Sequence, residues 1–233
     1  MTYAQNMNGY ISARGRALAL TILVSIQIVT LLAAAAAWAS YASTLGHDLS
    51  GRMAAAAMAT AIGSFDTLLF YAATVVFFTW VYRAMANLAP LGSMSTRFSP
   101  AMAVWAYIIP FVNFVWGHTV MATIWQESQP PAVTEDGVYT RRSTALVNWW
   151  WGLYLGGIVL VLWTTVSALF TSPRSVDELH SFANNQILFM IIRAVTALLF
   201  ILMIRGAQKR QDEQWQDLER RRNVPKPTAE ALR

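Results

Sequence analysis

The chain has 233 residues, of which 56% are hydrophobic and 12% are charged, and its mean hydropathy is +0.40. So few charges cannot cover a water-soluble globule of this size, which excludes that class and indicates a multi-pass membrane protein. The absence of cysteine excludes disulfides, thiolate metal sites and cysteine nucleophiles. The net charge is +5, and eight of the seventeen Lys and Arg residues lie from Arg205 onward, which favours a tail beside anionic lipid and argues against nucleic-acid binding.

The chain is expected to begin with a polar N-terminal arm over residues 1–16. The apolar run that follows, over about residues 17–43, exceeds the roughly 20 residues that a helix needs to cross a hydrocarbon core. It is also too long for the apolar region of a cleavable signal peptide. We interpret it as the first membrane span.

The second apolar run, Met53 to Met85, is longer than a bilayer requires. At about 1.5 Å per residue it would measure roughly 50 Å as one helix. Either the helix protrudes from the bilayer or it breaks near Gly63, and the span itself is placed at about residues 64–85. This span contains Asp66, and Arg83 lies at its end, where lipid headgroups are expected.

The segment from Ser99 to Ser128 is apolar but interrupted near its middle. Pro110 removes a backbone hydrogen bond and clashes with the preceding helical turn, and Asn113 and His118 add polar groups where they are costly. Two interpretations are open. The segment is either a fifth span or a re-entrant or interfacial helical hairpin over residues 99–127, which is tolerated where other helices shield its backbone.

The rest of the chain is predicted to contain two further spans, over residues 143–170 and 184–205, and a charged cytoplasmic tail over residues 206–233. Gly152 and Gly156 lie four apart in the first of these spans, and this spacing permits two helices to pack closely. Arg193 lies in the middle of the last span, where an ionisable side chain is costly.

The distribution of Lys and Arg distinguishes the two interpretations of the interrupted segment. With four spans and a same-side hairpin, fourteen positive residues fall on the inner side and two outside; with five spans the best division is eleven to five. Positive residues prefer the cytoplasmic side. We therefore predict an all-α integral protein of the bacterial inner membrane, with four transmembrane helices plus a re-entrant or interfacial hairpin and both termini cytoplasmic; five transmembrane helices are the alternative.

Several short motifs resemble the bacterial membrane-protein family known as domain of unknown function 4328. They are WVYRAMANL (Trp80 to Leu88), FSP (Phe98 to Pro100), IPFVNF (Ile109 to Phe114) and MATIWQES (Met121 to Ser128). The similarity covers about residues 65–205, and its specific part is Trp80 to Ser128. Family members often continue the P-x-x-N motif with a basic residue and a second proline, whereas this chain reads FVWGH from Phe114 to His118. The resemblance implies a multi-pass helical fold and no particular activity.

Two ionisable residues of opposite sign, Asp66 and Arg193, are predicted inside spans. Counted along their helices from the inner ends, they lie about 25 and 18 Å deep, a difference that an arginine side chain can largely bridge. We interpret them as an ion pair that fixes helix register. An ion or proton path, or an arginine that extends toward the interface, are the alternatives.

Other polar residues give no metal, cofactor or catalytic site. His118 is a single histidine without a second ligand at suitable spacing, so a hydrogen-bonded packing role is favoured over haem or metal ligation. Pro110 and Asn113 fit a broken helix of the kind that holds substrates in transporters. The competing interpretation is that Asn113 only caps the second half of the hairpin.

These observations favour a non-enzymatic membrane protein that acts as an accessory or assembly component. Its expected partners are membrane lipids and a membrane protein or a second copy of the chain. The second hypothesis is a small channel or transporter with a polar site at Asn113, Asp66 and Arg193. A membrane enzyme acting on a lipid is the third.

Overall fold

The computed structural model is all-α. It describes residues 9–93, 97–129, 143–170 and 175–223, except the side chains of residues 168 and 169. Residues 1–8 of the predicted N-terminal arm and 224–233 of the predicted tail lie outside the described residues. The helices are α1 (Arg14–Ser43), α2 (Leu49–Ala86), α3 (Pro100–Ile108), a π-helical turn (Asn113–Gly117), α4 (His118–Glu127), α5 (Ala145–Phe170) and α6 (Val176–Asn223).

Four of these helices, α1, α2, α5 and α6, are long and apolar enough to cross a membrane. The predicted all-α class and the number of candidate spans are therefore confirmed. The interrupted segment is not among the four, because it consists of α3, the π-helical turn and α4 rather than one long helix.

Helix α2 runs without a break through Gly63, so the predicted alternative of a broken helix is wrong. Its 38 residues would measure about 57 Å. A glycine inside a helix costs about 1 kcal/mol relative to alanine, which the long packing surface of α2 against α1 outweighs.

Helix α6 includes both the last predicted span and much of the predicted tail in 48 continuous residues. The tail is not separate from the helical bundle, because three of its polar residues are buried: Gln208, Gln211 and Asp212. Their partners lie on the N-terminal arm, at the end of α2 and after α4, as described below.

The core joins α1, α2 and α6, and aromatic rings link this group to the hairpin and to α5. The ring of Phe77 on α2 lies 4.9 Å from that of Tyr107 and 5.3 Å from that of Phe200, measured between centroids. Phe200 in turn lies 5.7 Å from Trp150 on α5. Such edge and tilted ring pairs add to the stabilisation from apolar burial.

The interrupted segment folds as a helical hairpin for local reasons. Ser99 caps α3 by accepting a hydrogen bond from the Met102 amide at 3.2 Å, with Pro100 in the first turn. Ile109 is extended, as expected for the residue before Pro110, and α3 stops there. At the tip, Phe111 has a positive φ of 64° and is 81% exposed. That left-handed conformation is unfavourable for a bulky residue.

The two ends of the hairpin lie together. The side chain of Gln211 on α6 accepts a hydrogen bond from Asn87 Nδ2 (3.3 Å) and donates one to the Ser128 hydroxyl (3.2 Å). Asn87 follows α2 and Ser128 follows α4, so the chain enters and leaves the hairpin at the same end of the bundle.

Candidate functional site

A cavity of about 540 Å³ lies between α5 on one side and α1, α2 and α6 on the other. Helix α5 packs against α6 and α4 but, in the part of the chain that the structure describes, hardly touches α1 or α2. This spacing leaves the cavity. Its walls are mainly apolar and aromatic, with contributions from Leu31, Phe70, Phe77, Ile158, Leu162 and Phe200.

Asp66 and Arg193 form an ion pair beside the cavity. Arg193 Nη2 lies 2.8 Å from Asp66 Oδ2, which joins α2 to α6 as the sequence predicted. The Thr30 hydroxyl on α1 lies 3.2 Å from Asp66 Oδ1 and 2.9 Å from the Gln27 carbonyl oxygen, and its single proton serves one of them. The carboxylate is thus held among three helices.

The two members of this pair have different surroundings. The side chain of Asp66 is 3% exposed and is not part of the cavity wall, whereas that of Arg193 is 30% exposed and lines the cavity. The guanidinium also lies over the Phe189 ring, 5.5 Å from its centroid. Arg193, the hydrogen-bond donor of the pair, is therefore the member that lines the cavity.

Asn113 also lines the cavity, at the start of the π-helical turn. Its Oδ1 is buried and has no hydrogen-bond partner among the described residues. That oxygen packs over Gly117, where an added Cβ would lie 2.6 Å from it and 2.7 Å from Trp151 Cη2. The Tyr107 hydroxyl donates to the Gly117 carbonyl at 2.7 Å, which holds the two legs of the hairpin together. The predicted capping role of Asn113 is therefore wrong, because its Oδ1 accepts from no amide and neither the π-helical turn nor α4 has a side-chain cap among the described residues.

Three hydrogen bonds attach the hairpin to α5 and the residues before it. Trp151 Nε1 donates to the Phe114 carbonyl at 3.2 Å, and Trp125 Nε1 donates to the Ser143 carbonyl at 3.1 Å. His118 Nε2 lies 2.9 Å from Asn148 Oδ1. His118 thus has the hydrogen-bonded packing environment that the sequence favoured, and no group of three potential metal ligands occurs in the described ranges.

Gly152 and Gly156 are exposed, and an added Cβ at either would meet nothing within 4 Å. Among the described residues, neither glycine therefore lies against another helix. Their predicted role in helix packing stays a prediction for a partner or a second copy.

Arg83 belongs to a polar cluster at the other end of the bundle. It donates to the carbonyls of Ile11 (3.3 Å) and Gly9 (3.4 Å), so it holds the N-terminal arm. Asn87, one turn further along the chain, exchanges two hydrogen bonds with the backbone of Ile11, at 2.9 and 3.2 Å. These bonds attach the arm to the end of α2.

Asp212 is the second attachment point of the arm. It accepts hydrogen bonds from the hydroxyls of Tyr10 (2.7 Å) and Ser12 (2.8 Å) and lies 3.5 Å from Arg14 Nε. Tyr10 stacks on the ring of Trp215 at 5.0 Å. Burial and the neighbouring Asp212 carboxylate raise the pKa of Tyr10 above its ordinary value.

Sequence reasoning missed this cluster, although one signal was present. Gln208, Gln211, Asp212 and Trp215 recur at helical spacing, so they lie on one face of α6. Such a stripe continues the buried face of the span past its apolar end.

A family model described as Domain of unknown function (DUF4328) matches residues 44–209. The chain belongs to this family. The resemblance based on the motifs between Trp80 and Ser128 is thereby confirmed. No curated protein and no solved structure matches the chain.

In this DUF4328 protein, motif residues that are distant in sequence contact the same stretch of α6, from Gln208 to Gln211. Trp80 Nε1 donates to Gln208 Oε1 at 3.3 Å. The guanidinium of Arg210 lies 3.6 Å from the centroid of the Trp125 ring, where the face of the ring attracts the cation. Together with the bonds of Asn87 and Ser128 to Gln211, these contacts make the motifs an attachment surface for α6.

Proposed function

We propose that this DUF4328 protein is a non-enzymatic accessory or assembly protein of the bacterial inner membrane that binds a membrane amphiphile. The cavity between α5 and the group of α1, α2 and α6 carries this proposal. Its volume of about 540 Å³ falls in the range of small-molecule sites.

The character of the wall supports an acyl or isoprenoid chain as the occupant. Most of the lining side chains are aliphatic or aromatic, and they lie on the apolar parts of helices that are long enough to cross a membrane. Because α5 hardly touches α1 or α2 in the described part of the chain, a chain from the bilayer needs little rearrangement to enter. Apolar burial of this kind contributes roughly 25 cal/mol per Å² of ligand surface.

Two neighbouring glycines on α5 provide a matched test. Gly157 lines the cavity, with Phe189 Cε2 at 3.9 Å from an added Cβ, whereas Gly156 faces open space. We expect wild type and Gly156→Leu, purified in mild detergent, to retain about one lipid per chain by mass spectrometry of extracted lipids. Gly157→Leu should lose it. Equal lipid content in all three proteins, or none in the wild type, contradicts the proposal.

We propose further that α3 to α4 form a re-entrant hairpin, with both termini of the chain cytoplasmic. The shared contacts of Asn87 and Ser128 with Gln211 support this topology, as does the fourteen-to-two distribution of positive residues. The chain has no cysteine, so single-cysteine variants can be labelled directly. Arg97→Cys and Ser143→Cys should react with an impermeant reagent only from the cytoplasmic side, and His47→Cys only from the outside. Opposite labelling of residues 97 and 143 contradicts it.

A small channel or transporter is the second candidate function. The specific observation in its favour is that Asn113 and Arg193 line the same cavity, with Asp66 behind Arg193. Transport predicts an ion or proton flux in proteoliposomes that Arg193→Met abolishes. Binding alone predicts no flux in either protein.

A further inference from the structure

The polar groups of the cavity wall narrow the chemistry of the amphiphile. We infer that the cavity takes an uncharged amphiphile through a hydrogen-bond-accepting oxygen, such as an ester or ketone carbonyl, which Arg193 and Asn113 bind. This inference rests on the proposed lipid-binding function and specifies the ligand for the same cavity.

Arg193 provides the first donor. One of its terminal nitrogens, Nη2, bonds Asp66, while its side chain is partly exposed and lines the cavity. A guanidinium carries five N–H donors in a planar arrangement, so it can bind a second acceptor while it keeps the ion pair. Asp66 is buried behind it and offers no acceptor to the cavity.

The charge of the pair decides between an anionic and a neutral ligand. Asp66 at 2.8 Å already neutralises Arg193. A carboxylate or phosphate would add a negative charge without a counterion in apolar surroundings, where an unpaired charge is costly. A neutral carbonyl oxygen accepts from the guanidinium without adding charge.

Asn113 provides the second donor. Its Oδ1 is buried over Gly117 and beside Trp151, so the amino group is the end of its carboxamide that is left to the cavity. The hydroxyls of three other lining residues already donate to backbone carbonyls: Tyr107 to Gly117, Thr74 to Phe70 and Thr196 to Ile192. The protons of these hydroxyls are therefore already used within the protein, and Arg193 and Asn113 are the donors that we assign to the ligand.

The test compares three radiolabelled probes with the same chain length and different ends. These are methyl oleate, oleate at pH 8 and 1-octadecene, each added to the purified full-length protein in mild detergent. Specific binding is the binding that Gly157→Leu lacks. We expect wild type to bind methyl oleate about tenfold more tightly than 1-octadecene, the ratio that one or two hydrogen bonds provide. Oleate should bind no more tightly than the ester.

Two variants test the donors. Asp66→Leu with Arg193→Met removes both charges, so no unpaired charge stays buried, and Asn113→Leu leaves the ion pair intact. Each should reduce the preference for the ester to about threefold or less, while Arg205→Met, an exposed cation on α6, should keep it. If the double variant does not fold, Asn113→Leu alone decides the outcome for the donors.

The outcomes separate this inference from the proposed function. Equal binding of ester and hydrocarbon by wild type, tightest binding of oleate, or an undiminished ester preference in folded variants overturns the inference and leaves lipid binding intact. Binding of no probe above the Gly157→Leu background, with no retained lipid, overturns the proposed function itself.

Discussion

Arg193 and Asp66 are 127 residues apart in sequence, and their side chains meet at 2.8 Å between α6 and α2. Only the arginine reaches the cavity. One contact therefore fixes the relative position of two long helices and also exposes a cation to a mainly apolar space. The structural and the binding roles of this pair can be separated by substitution.

The ion pair predicts a strong difference between single and double substitutions. Arg193→Met leaves the Asp66 carboxylate buried without its partner and should cost about 3–5 kcal/mol of unfolding free energy. Asp66→Leu combined with Arg193→Met should recover most of that loss, because no unpaired charge stays buried. Thermal unfolding in detergent measures both, with Arg205→Met as the control for loss of an arginine. A double variant as unstable as the single one would show that the pair stabilises the fold by more than mutual neutralisation.

We predict that a side chain added at Gly117 produces a local packing defect. An added Cβ would lie 2.6 Å from Asn113 Oδ1 and 2.7 Å from Trp151 Cη2, and the Trp151 ring is held by its bond to the Phe114 carbonyl. Gly117→Ala should therefore destabilise the protein by about 1–3 kcal/mol, as overpacked sites do.

The control is Gly63→Ala in the middle of α2, where an added Cβ meets nothing within 4 Å. That substitution should stabilise the protein by about 0.5–1 kcal/mol through helix propensity. Denaturation of both variants under the same conditions gives the comparison. Equal effects of the two alanines would contradict the close approach at Gly117.

We predict that Gln211 holds the two ends of the hairpin against α6. Its side chain is fully buried, donates to the Ala84 carbonyl and the Ser128 hydroxyl, and accepts from Asn87. Gln211→Leu removes three buried hydrogen bonds and should cost about 1–3 kcal/mol of unfolding free energy. Gln216→Leu on the exposed face of α6 is the control and should change stability little. If both variants unfold at the same temperature, Gln211 does not hold the hairpin ends.

We predict that the contribution of Tyr10 to the stability of the protein depends on pH. Its pKa is raised by burial and by Asp212, so its contribution to stability is fully present below the ordinary tyrosine pKa of about 10 and declines as the pH rises above that value. The unfolding free energy of wild type should exceed that of Tyr10→Phe by about 1.5–3 kcal/mol at pH 7–9, the range for a hydrogen bond to a charged group. The difference should shrink between pH 10 and 11. Measuring the unfolding free energy of both proteins from pH 7 to pH 11 checks this prediction. A difference that grows with pH would contradict it.

The features that could be predicted from the sequence depend on the chemistry of single residues or on distances counted along one helix. Pro110 lacks an N–H wherever it stands, so the break in the hairpin could be predicted. The Asp66 and Arg193 pair followed from their depths in two spans. The cap at Ser99 was not predicted, although a serine before Pro100 at the start of an apolar helix is a local signal for it.

The features that sequence missed depend on which surfaces come together. Asn87, Ser128 and Gln211 are ordinary polar residues near helix ends, and they are buried because the N-terminal arm and α6 cover them. The close approach at Gly117 exists only when α5 packs on the hairpin. A G-x-x-x-G spacing likewise does not reveal whether the neighbour of Gly152 and Gly156 is in the same chain.

The most direct test of the proposed lipid site is crosslinking in native membranes at two positions of α5. A photoreactive residue at position 153 would lie at the wall of the cavity, to which Leu153 contributes, and one at position 159 would replace Val159, which is 65% exposed. The account predicts that position 153 crosslinks one class of uncharged lipid, while position 159 crosslinks lipids in the proportions of the bulk membrane. The same bulk mixture at both positions, or no lipid at position 153, would contradict it.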